Sequence, residues 1–320
     1  MLTIFTTAKP FKDHIAIIQR NALRSWKLLY PDAEIIIFGN DEGAGEICAE
    51  LGLRHEPNVE RNEDGTKSLG AIFGRAQEIA RHELLCYSNC DMILTSDFLR
   101  ALESVSRWRQ KFLMVGRRWD LDVTQPIDFS QATWQKELVE RARREGFQRL
   151  FYNIDYFCFR RGLYRQIPDL VIGRNWWDQW LVWSAANLGA SVVDVSDVVC
   201  AVHQNHDYSY HPQGITGVWY DNRTQANFHQ AGGWTCLHTI EDAKYRLTSQ
   251  GIQPNRGYWL APAKRRLRRV NRALRAFTRT RLWHPLLNKT RSLRHVLGLR
   301  QDALRPLRRQ KAPRRHWLDQ

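Results

Sequence analysis

Acidic residues are nearly missing from positions 261–320 of this 320-residue chain: Asp302 and Asp319 stand there against 19 lysines and arginines. The preceding residues hold 29 basic and 31 acidic side chains. The net charge of +15 therefore belongs to the end of the chain, +17 over 261–320 beside −2 over the remainder. Whatever the charge attracts, it attracts there. Long apolar runs are missing too, and none approaches the roughly 20 residues of a membrane-spanning helix. Paired CxxC spacing is absent. Cys48, Cys86, Cys90, Cys158, Cys200 and Cys236 are scattered through apolar stretches, which predicts buried free thiols in a reducing cytoplasm rather than disulfides. The opening MLTIFTTAKPF lacks the basic start and small-residue cleavage site of a signal peptide and reads as a first core strand. No internal repeat is present.

What is there is a globular body, 43% hydrophobic over the whole chain, long enough for one large domain or two modest ones. LTIFTTA is a short apolar run. In DHIAIIQRNALRSWKLL, Ile15, Ile18, Leu23 and Trp26 fit one helical face. AEIIIFGND is a fully apolar run of the parallel-sheet kind that ends on Gly39, Asn40 and Asp41. GEICAELG predicts a helix stopped by Gly52, and EPNVERNEDG a loop. Thr66 is placed to cap a helix whose Leu69, Ile72, Phe73, Ala76 and Ile79 are spaced for burial. ELLCYSN reads as the fourth strand of a β-α-β-α-β-α-β order, the pattern of a doubly wound, mostly parallel α/β sheet flanked by helices. Further on, KFLMVGRRW and DYFCFRR read as strands, and WWDQWLVWSAANLGA as a helix followed by the strand SVVDVS. CAVHQNHDYSYH reads as too polar for core. Composition shifts near Pro262, dividing the chain into a 1–260 domain and a 261–320 tail.

The stretch LLCYSNCDMILTSDF interrupts a strand with Asn89 and Asp91 before the apolar run resumes. In open parallel sheets ligands bind at the carboxyl ends of strands. Thr6-Thr7, Asn40-Asp41 and Asn89-Cys90-Asp91 all close strands in this way. A carboxylate at that edge can ligate a divalent cation that neutralises a diphosphate. It can also begin a turn, although Ser96-Asp97 is the better local cap for the helix that follows.

The order GND, GTKSLGAIF, YSNCDMIL, IDYFCFRRGLY, WWDQWLVW, VVCAVHQNHDYSYH resembles the GT-A glycosyltransferases, the nucleotide-diphospho-sugar transferases. Within them it resembles a little-characterised bacterial and plant group, over roughly residues 1–245. NCD stands where that fold carries Asp-x-Asp, with Asn89 in place of the first acid. The resemblance implies that Asp91 ligates Mn²⁺ or Mg²⁺ and that His203 is a further metal or phosphate ligand. It implies that Asn89 lies near the ribose or the metal, and Thr6, Thr7 and Asp41 at the nucleoside end of the pocket. Asp178, opening an apolar helix, resembles the general base of inverting members; helix capping is its plain alternative, and a retaining route stays open if it is not the base. Asp155 is a donor-sugar or acceptor contact on this reading, and Trp176, Trp177, Trp180 and Trp183 are core except where one serves as a sugar platform. Restoring the missing acid with Asn89→Asp is expected to tighten metal binding.

Lys67 and Arg75 flank GTKSLGAIF, where a helix start favours phosphate; ordinary solvated charge is the alternative. A zinc site sharing His203, His206 and His211 with Cys200 is a weaker pattern, because structural zinc sites show two tight ligand pairs. In the tail, Leu267, Val270, Leu274 and Phe277 recur at helical spacing among arginines. That predicts a basic amphipathic helix for an anionic membrane surface, with packing on the body or nucleic-acid binding as alternatives.

The resulting expectation is a metal-dependent, cytoplasmic glycosyltransferase at the inner membrane face, moving sugar from a nucleotide-diphosphate sugar to a hydroxyl acceptor. The rivals are a polyanion- or nucleic-acid-binding protein with an inactive GT-A body, and a nucleotidyltransferase. Attack on an α-phosphorus usually draws on a glycine- and basic-rich N-terminal loop, and TTAKPF supplies one lysine and no glycine.

Overall fold

A computed structural model describes residues 2–63, 65–207, 218–219, 221–264, 266–267 and 270. Leu2–Thr7 forms β1, buried along its length except at Thr7. Asp13–Leu29 is α1, with Ile18, Leu23 and Trp26 turned inward as their spacing requires. Glu34–Phe38 is β2, and Ala44–Leu51 is α2, stopped as expected by Gly52 with φ +63°. Arg54–Glu56 is β3, the third strand that the expected β-α-β-α-β-α-β order requires and that no apolar run marks. It lies at the sheet edge, where charged side chains are tolerated and block further pairing. Leu69–Ile79 is α3. Its cap is Ser68, whose Oγ accepts from the Ala71 amide at 3.2 Å, rather than Thr66.

Leu84–Ser88 is β4 and Met92–Ile93 is β5. Ser96–Trp108 is α4, begun after Thr95, so Ser96 and Asp97 lie inside its first turn. Asp97 accepts from the Thr95 hydroxyl at 2.7 Å and the Cys200 amide at 3.0 Å, joining two segments instead of only capping one. The single strand expected from KFLMVGRRW is two, β6 Phe112–Val115 and β7 Arg118–Leu121, divided at Gly116 and Arg117. Then come α5 Trp134–Glu145, β8 Phe147–Gln148, β9 Tyr156–Arg160, α6 Trp177–Asn187, β10 Ser191–Asp194 and β11 Ala201–Gln204. Asn222–Gln230 is α7, Tyr245–Thr248 is β12 and Gly251–Pro254 is β13.

Nine strands make the main sheet in the order β13-β12-β10-β6-β9-β4-β1-β2-β3, antiparallel at β9 and at β13 and otherwise parallel. Alternation along β1 supplies both faces: Phe5 joins Phe73 of α3 and Trp180 of α6, while Ile4 joins Trp26 of α1 and Phe98 of α4. Helices on both faces of a mostly parallel sheet are the architecture the sequence predicts. A second sheet, β5-β11-β7-β8, stands at the end of β4. All six cysteines are free thiols, five buried and Cys236 half-buried.

Contacts divide the chain into Met1–Ala261 and Pro262–Gln320. Of the second unit, residues 262–264, 266, 267 and 270 are described and helical, with Leu267 and Val270 exposed. Leu274, Phe277 and the rest of the expected amphipathic helix lie outside the described residues, as does His211. No helix among the described residues is long and apolar enough to cross a membrane.

Candidate active site

Loops leaving the carboxyl ends of β1 and β4 open onto a cavity of about 390 Å³. Thr7, Lys67, Asn89, Asp91, Asp155, Asp178 and His203, all singled out in the sequence, line it together. Thr6 does not: alternation turns it into the sheet, fully buried, and its hydroxyl donates to the Thr7 carbonyl at 3.3 Å. The expected nucleoside contact of Thr6 is corrected accordingly. Arg75 is also outside the cavity, half-exposed and paired with Glu78 at 3.0 Å and Glu56 at 3.6 Å.

Asp91 occupies the turn between β4 and β5. Its main chain is fixed by Gln204, whose amide and side-chain nitrogen both donate to the Asp91 carbonyl, at 3.1 and 3.2 Å. Gln204 is fully buried with its own carbonyl satisfied by Asn21 at 3.0 Å. The segment read as too polar for core is thus a buried strand, β11. Antiparallel pairing sets His203 opposite Met92, and parallel pairing sets it opposite Asp120. His203 Nε2 lies 3.8 Å from Asp91 Oδ2, and His206 Nε2 lies 3.2 Å from the same oxygen. One donor atom from each of these three residues falls within 4.8 Å of the others. Burial alone would raise the Asp91 pKa, but the charges beside it, His203 first and then the Lys9 ammonium, outweigh it and hold the carboxyl far below its usual range.

A divalent cation fits this donor set. Asp91 Oδ1 is buried with no hydrogen-bond partner, an acceptor prepared for something positive. Two imidazole nitrogens beside one carboxylate suit a first-row transition ion better than Mg²⁺. Cys200 does not take part. It packs with Leu121, Val123 and Trp134, and burial pushes its thiol up to about 12.

Asn89 points elsewhere than the sequence suggests. Its Nδ2 donates to Asp155 Oδ1 at 2.6 Å, and its Oδ1 accepts from the Tyr87 hydroxyl at 3.2 Å. The other Asp155 oxygen accepts from Arg118 Nη1 at 2.7 Å. Arg118 Nε in turn donates to Asp120 Oδ1 at 2.9 Å, and Arg149 Nε to Asp120 Oδ2 at 2.5 Å. His203 Nδ1 stands 3.3 Å from Asp120 Oδ1, ending a buried chain of polar groups that runs back to Asp91. Burial lowers the Arg118 pKa, and its two carboxylate partners more than reverse that. An acid at position 89 would face Asp155 across 2.6 Å with no proton to share. Asn89→Asp is therefore expected to destabilise the protein by about 1–3 kcal/mol and not to tighten a cation. A thermal melt unchanged from wild type would refute this.

Lys67 and Asp41 meet as a close ion pair at the cavity wall, with the Lys67 ammonium also donating to the Ala8 carbonyl at 3.0 Å. Gly39 makes the approach possible. Its φ is +104°, and a Cβ there would lie 2.7 Å from Lys67 Cε. Burial lowers the Lys67 pKa against the pull of Asp41. Asp41 reaches the site through this lysine and is not itself part of the lining.

Asp178 lies in the first turn of α6, partly exposed to the cavity. The preceding Trp176 has φ +87°, a left-handed conformation that costs a non-glycine residue about 1–3 kcal/mol. Trp177 beneath it packs on Tyr87 and Phe157. Burial, with the Asp155 charge adding to it, pushes the Asp178 carboxyl up to about 7. Such a group can take up or release a proton near neutrality.

No protein-family model and no curated protein matches the chain. Among solved structures it is similar to S. aureus TarS 1-349 in complex with UDP-GlcNAc, at 11% identity and a TM-score of 0.43, over 64% of this chain and 58% of that one. It is also similar to glucosyl-3-phosphoglycerate synthase from Mycobacterium tuberculosis in complex with Mn²⁺, uridine diphosphate and phosphoglyceric acid. There the identity is 13%, the TM-score 0.43, and the cover 73% of this chain and 79% of that one. The chain spans 58–60% of the length of the TarS 1-349 structures.

Four residues in or behind the cavity escape the motif reading, Lys9, Arg118, Arg174 and, behind the lining, Asp120, while His206 entered it only through the weaker zinc pattern. Arg118 and Asp120 had a signal. They are two apart on an otherwise apolar strand, so they share a face, and a buried charged face needs partners. Arg174 is tied to Asp221 at 2.6 Å, a partner from a distant helix cap that no local pattern announces. Lys9 has no pattern of its own; it reaches the site because β1 ends beside β4.

Proposed function

We propose that this chain is a GT-A glycosyltransferase that moves a sugar from a nucleotide-diphosphate sugar to a hydroxyl acceptor. One observation carries the reading. A single cavity at the strand ends joins a carboxylate–bis-imidazole cluster to a carboxyl whose pKa is near 7, with Lys9, Lys67, Arg118 and Arg174 around them. The first group suits a diphosphate with its cation, and the second suits an acceptor hydroxyl. The order of sequence motifs supports the same reading.

In this scheme Asp91, His203 and His206 would hold Mn²⁺ or, less well, Mg²⁺, which would supply charge neutralisation for a diphosphate leaving group. Asp120 faces His203 Nδ1 and keeps its Nε2 directed at the Asp91 side. Arg118 holds Asp155 at the cavity wall for donor-sugar or acceptor hydroxyls. Thr7 and the Asp41–Lys67 pair bound the nucleoside end. Asp178 accepts the acceptor's proton, and an attack opposite the leaving group inverts the anomeric centre. Calorimetry with nucleoside diphosphates, with and without Mn²⁺, followed by a panel of nucleotide sugars, tests this. Failure of every nucleoside diphosphate to bind would overturn it.

The basic tail is proposed to hold the enzyme on an anionic membrane face from the cytoplasmic side. Sequence charge supports this, and so do exposed Leu267 and Val270 in the tail unit, with Trp259 and Leu260 exposed near the end of the body unit. The intact chain should sediment with vesicles containing phosphatidylserine and weaken with salt, at about 1 kcal/mol per basic residue near the surface. A chain ending at residue 261 should stay in solution with its nucleotide binding intact. Equal sedimentation of both chains would remove the proposal.

A further inference from the structure

The histidine nearest Asp91 has its tautomer set by a neighbour. His206 Nδ1 lies 2.6 Å from the Asp207 carbonyl, which can only accept, so Nδ1 donates there; Nε2 lies 2.9 Å from the Lys9 ammonium, which can only donate, so Nε2 accepts and presents its lone pair. That lone pair faces Asp91 Oδ2 at 3.2 Å. Two acceptors this close repel each other unless a positive group is shared between them. The Lys9 ammonium fills that role, donating to His206 Nε2 at 2.9 Å and standing 3.8 Å from Asp91 Oδ2. The two atoms that suit a divalent cation are already engaged by a cation from the protein itself. An imidazole nitrogen has one lone pair, which cannot serve the ammonium and a metal together.

We propose that Lys9 is a displaceable internal cation: it holds Asp91 and His206 together until a divalent ion takes them, and then turns its ammonium onto the diphosphate. This rests on the metal–diphosphate reading of the site. The lysine is built for such a move. Its main chain is clamped by Gln19, which accepts from the Lys9 amide at 2.7 Å and donates to its carbonyl at 2.9 Å. Its side chain is a flexible four-carbon stem carrying a compact charge into the cavity. Displacing an ammonium opposes metal binding, while offering it to an anion favours diphosphate binding. The metal and the diphosphate therefore bind more tightly together than either binds alone, and one residue links them.

The test is a pair of affinities on the full-length protein and its Lys9→Met variant, with Lys9→Gln as a second variant should methionine impair folding. Mn²⁺ alone is titrated by the electron paramagnetic resonance of the free ion. Inorganic pyrophosphate is then titrated calorimetrically with Mn²⁺ present. The variant should bind Mn²⁺ alone about tenfold more tightly and Mn²⁺-pyrophosphate about tenfold more weakly, within the range that groups around metal ligands exert. Opposite signs are the signature. If the variant binds Mn²⁺ with unchanged or lower affinity while wild type binds it, Lys9 is not a competitor and the inference falls alone. If both affinities drop together, Lys9 only supports the pocket, which also overturns it. If no protein binds Mn²⁺ with or without pyrophosphate, the metal reading fails and takes the inference with it.

Discussion

Asp91→Asn should weaken Mn²⁺-dependent nucleoside diphosphate binding by roughly 100-fold or more, at or beyond the upper end of what changes around metal ligands cost. The carboxylate is the only anionic member of the Asp91–His203–His206 group, and one of its oxygens has no hydrogen-bond partner to satisfy. Asparagine keeps the shape and loses the charge. The fold should survive, because Gln204 grips the Asp91 carbonyl and not its side chain. Some stability should still be lost, since Lys9 and both imidazoles would then face a neutral amide. Calorimetric titration with Mn²⁺ and a nucleoside diphosphate reads the first effect, and a thermal melt reads the second. Unchanged affinity would show that no cation sits on Asp91.

The same residue shows how far a sequence carries this site. Asp91 was legible because a carboxylate at the end of an apolar strand is locally expensive, and the chain states that cost in seven letters, YSNCDMI. Asp178 and His203 were legible only through the order of motifs. What escaped was pairing across distance. Asn89 looks like a damaged acid in the sequence, but in space its amide has a definite task, since Asp155 needs a donor where a second carboxylate would repel it. Gln204 looks like solvent-facing polarity until its three hydrogen bonds to Asp91 and Ile18 are seen. β1, β2, β4, β6, β9 and β10 announce themselves by apolar runs. β3, β8, β12 and β13 do not, because a strand at or next to a sheet edge owes its place to its partners more than to its own burial.

Asp178→Asn should separate catalysis from architecture by moving two measurements in opposite directions. As the base, Asp178 acts on the acceptor hydroxyl only during transfer. Its loss should lower kcat by about 10²–10⁴-fold and leave nucleotide affinity unchanged. Wild-type transfer should rise with pH through about 7, where the carboxyl ionises, and the variant's residual rate should lose that rise. Stability should move the other way. The folded carboxyl holds its proton to about 7 against an ordinary value of 3.8. Its favourable contribution is therefore complete at acid pH and is lost as pH rises through the folded value. At pH 8 wild type carries a desolvated charge that asparagine lacks, so the variant should melt higher by roughly 2–4 °C for each kcal/mol relieved. At pH 4 the two should melt together. A capping role predicts the reverse, because a charge in the first helical turn contributes about 0.3–1 kcal/mol that the variant would forfeit at pH 8. The burial that moves a carboxyl to about 7 outweighs a contribution of that size. A variant that melts lower than wild type at pH 8 and transfers sugar at the wild-type rate would leave Asp178 a helix cap and return the search for a base to Asp155.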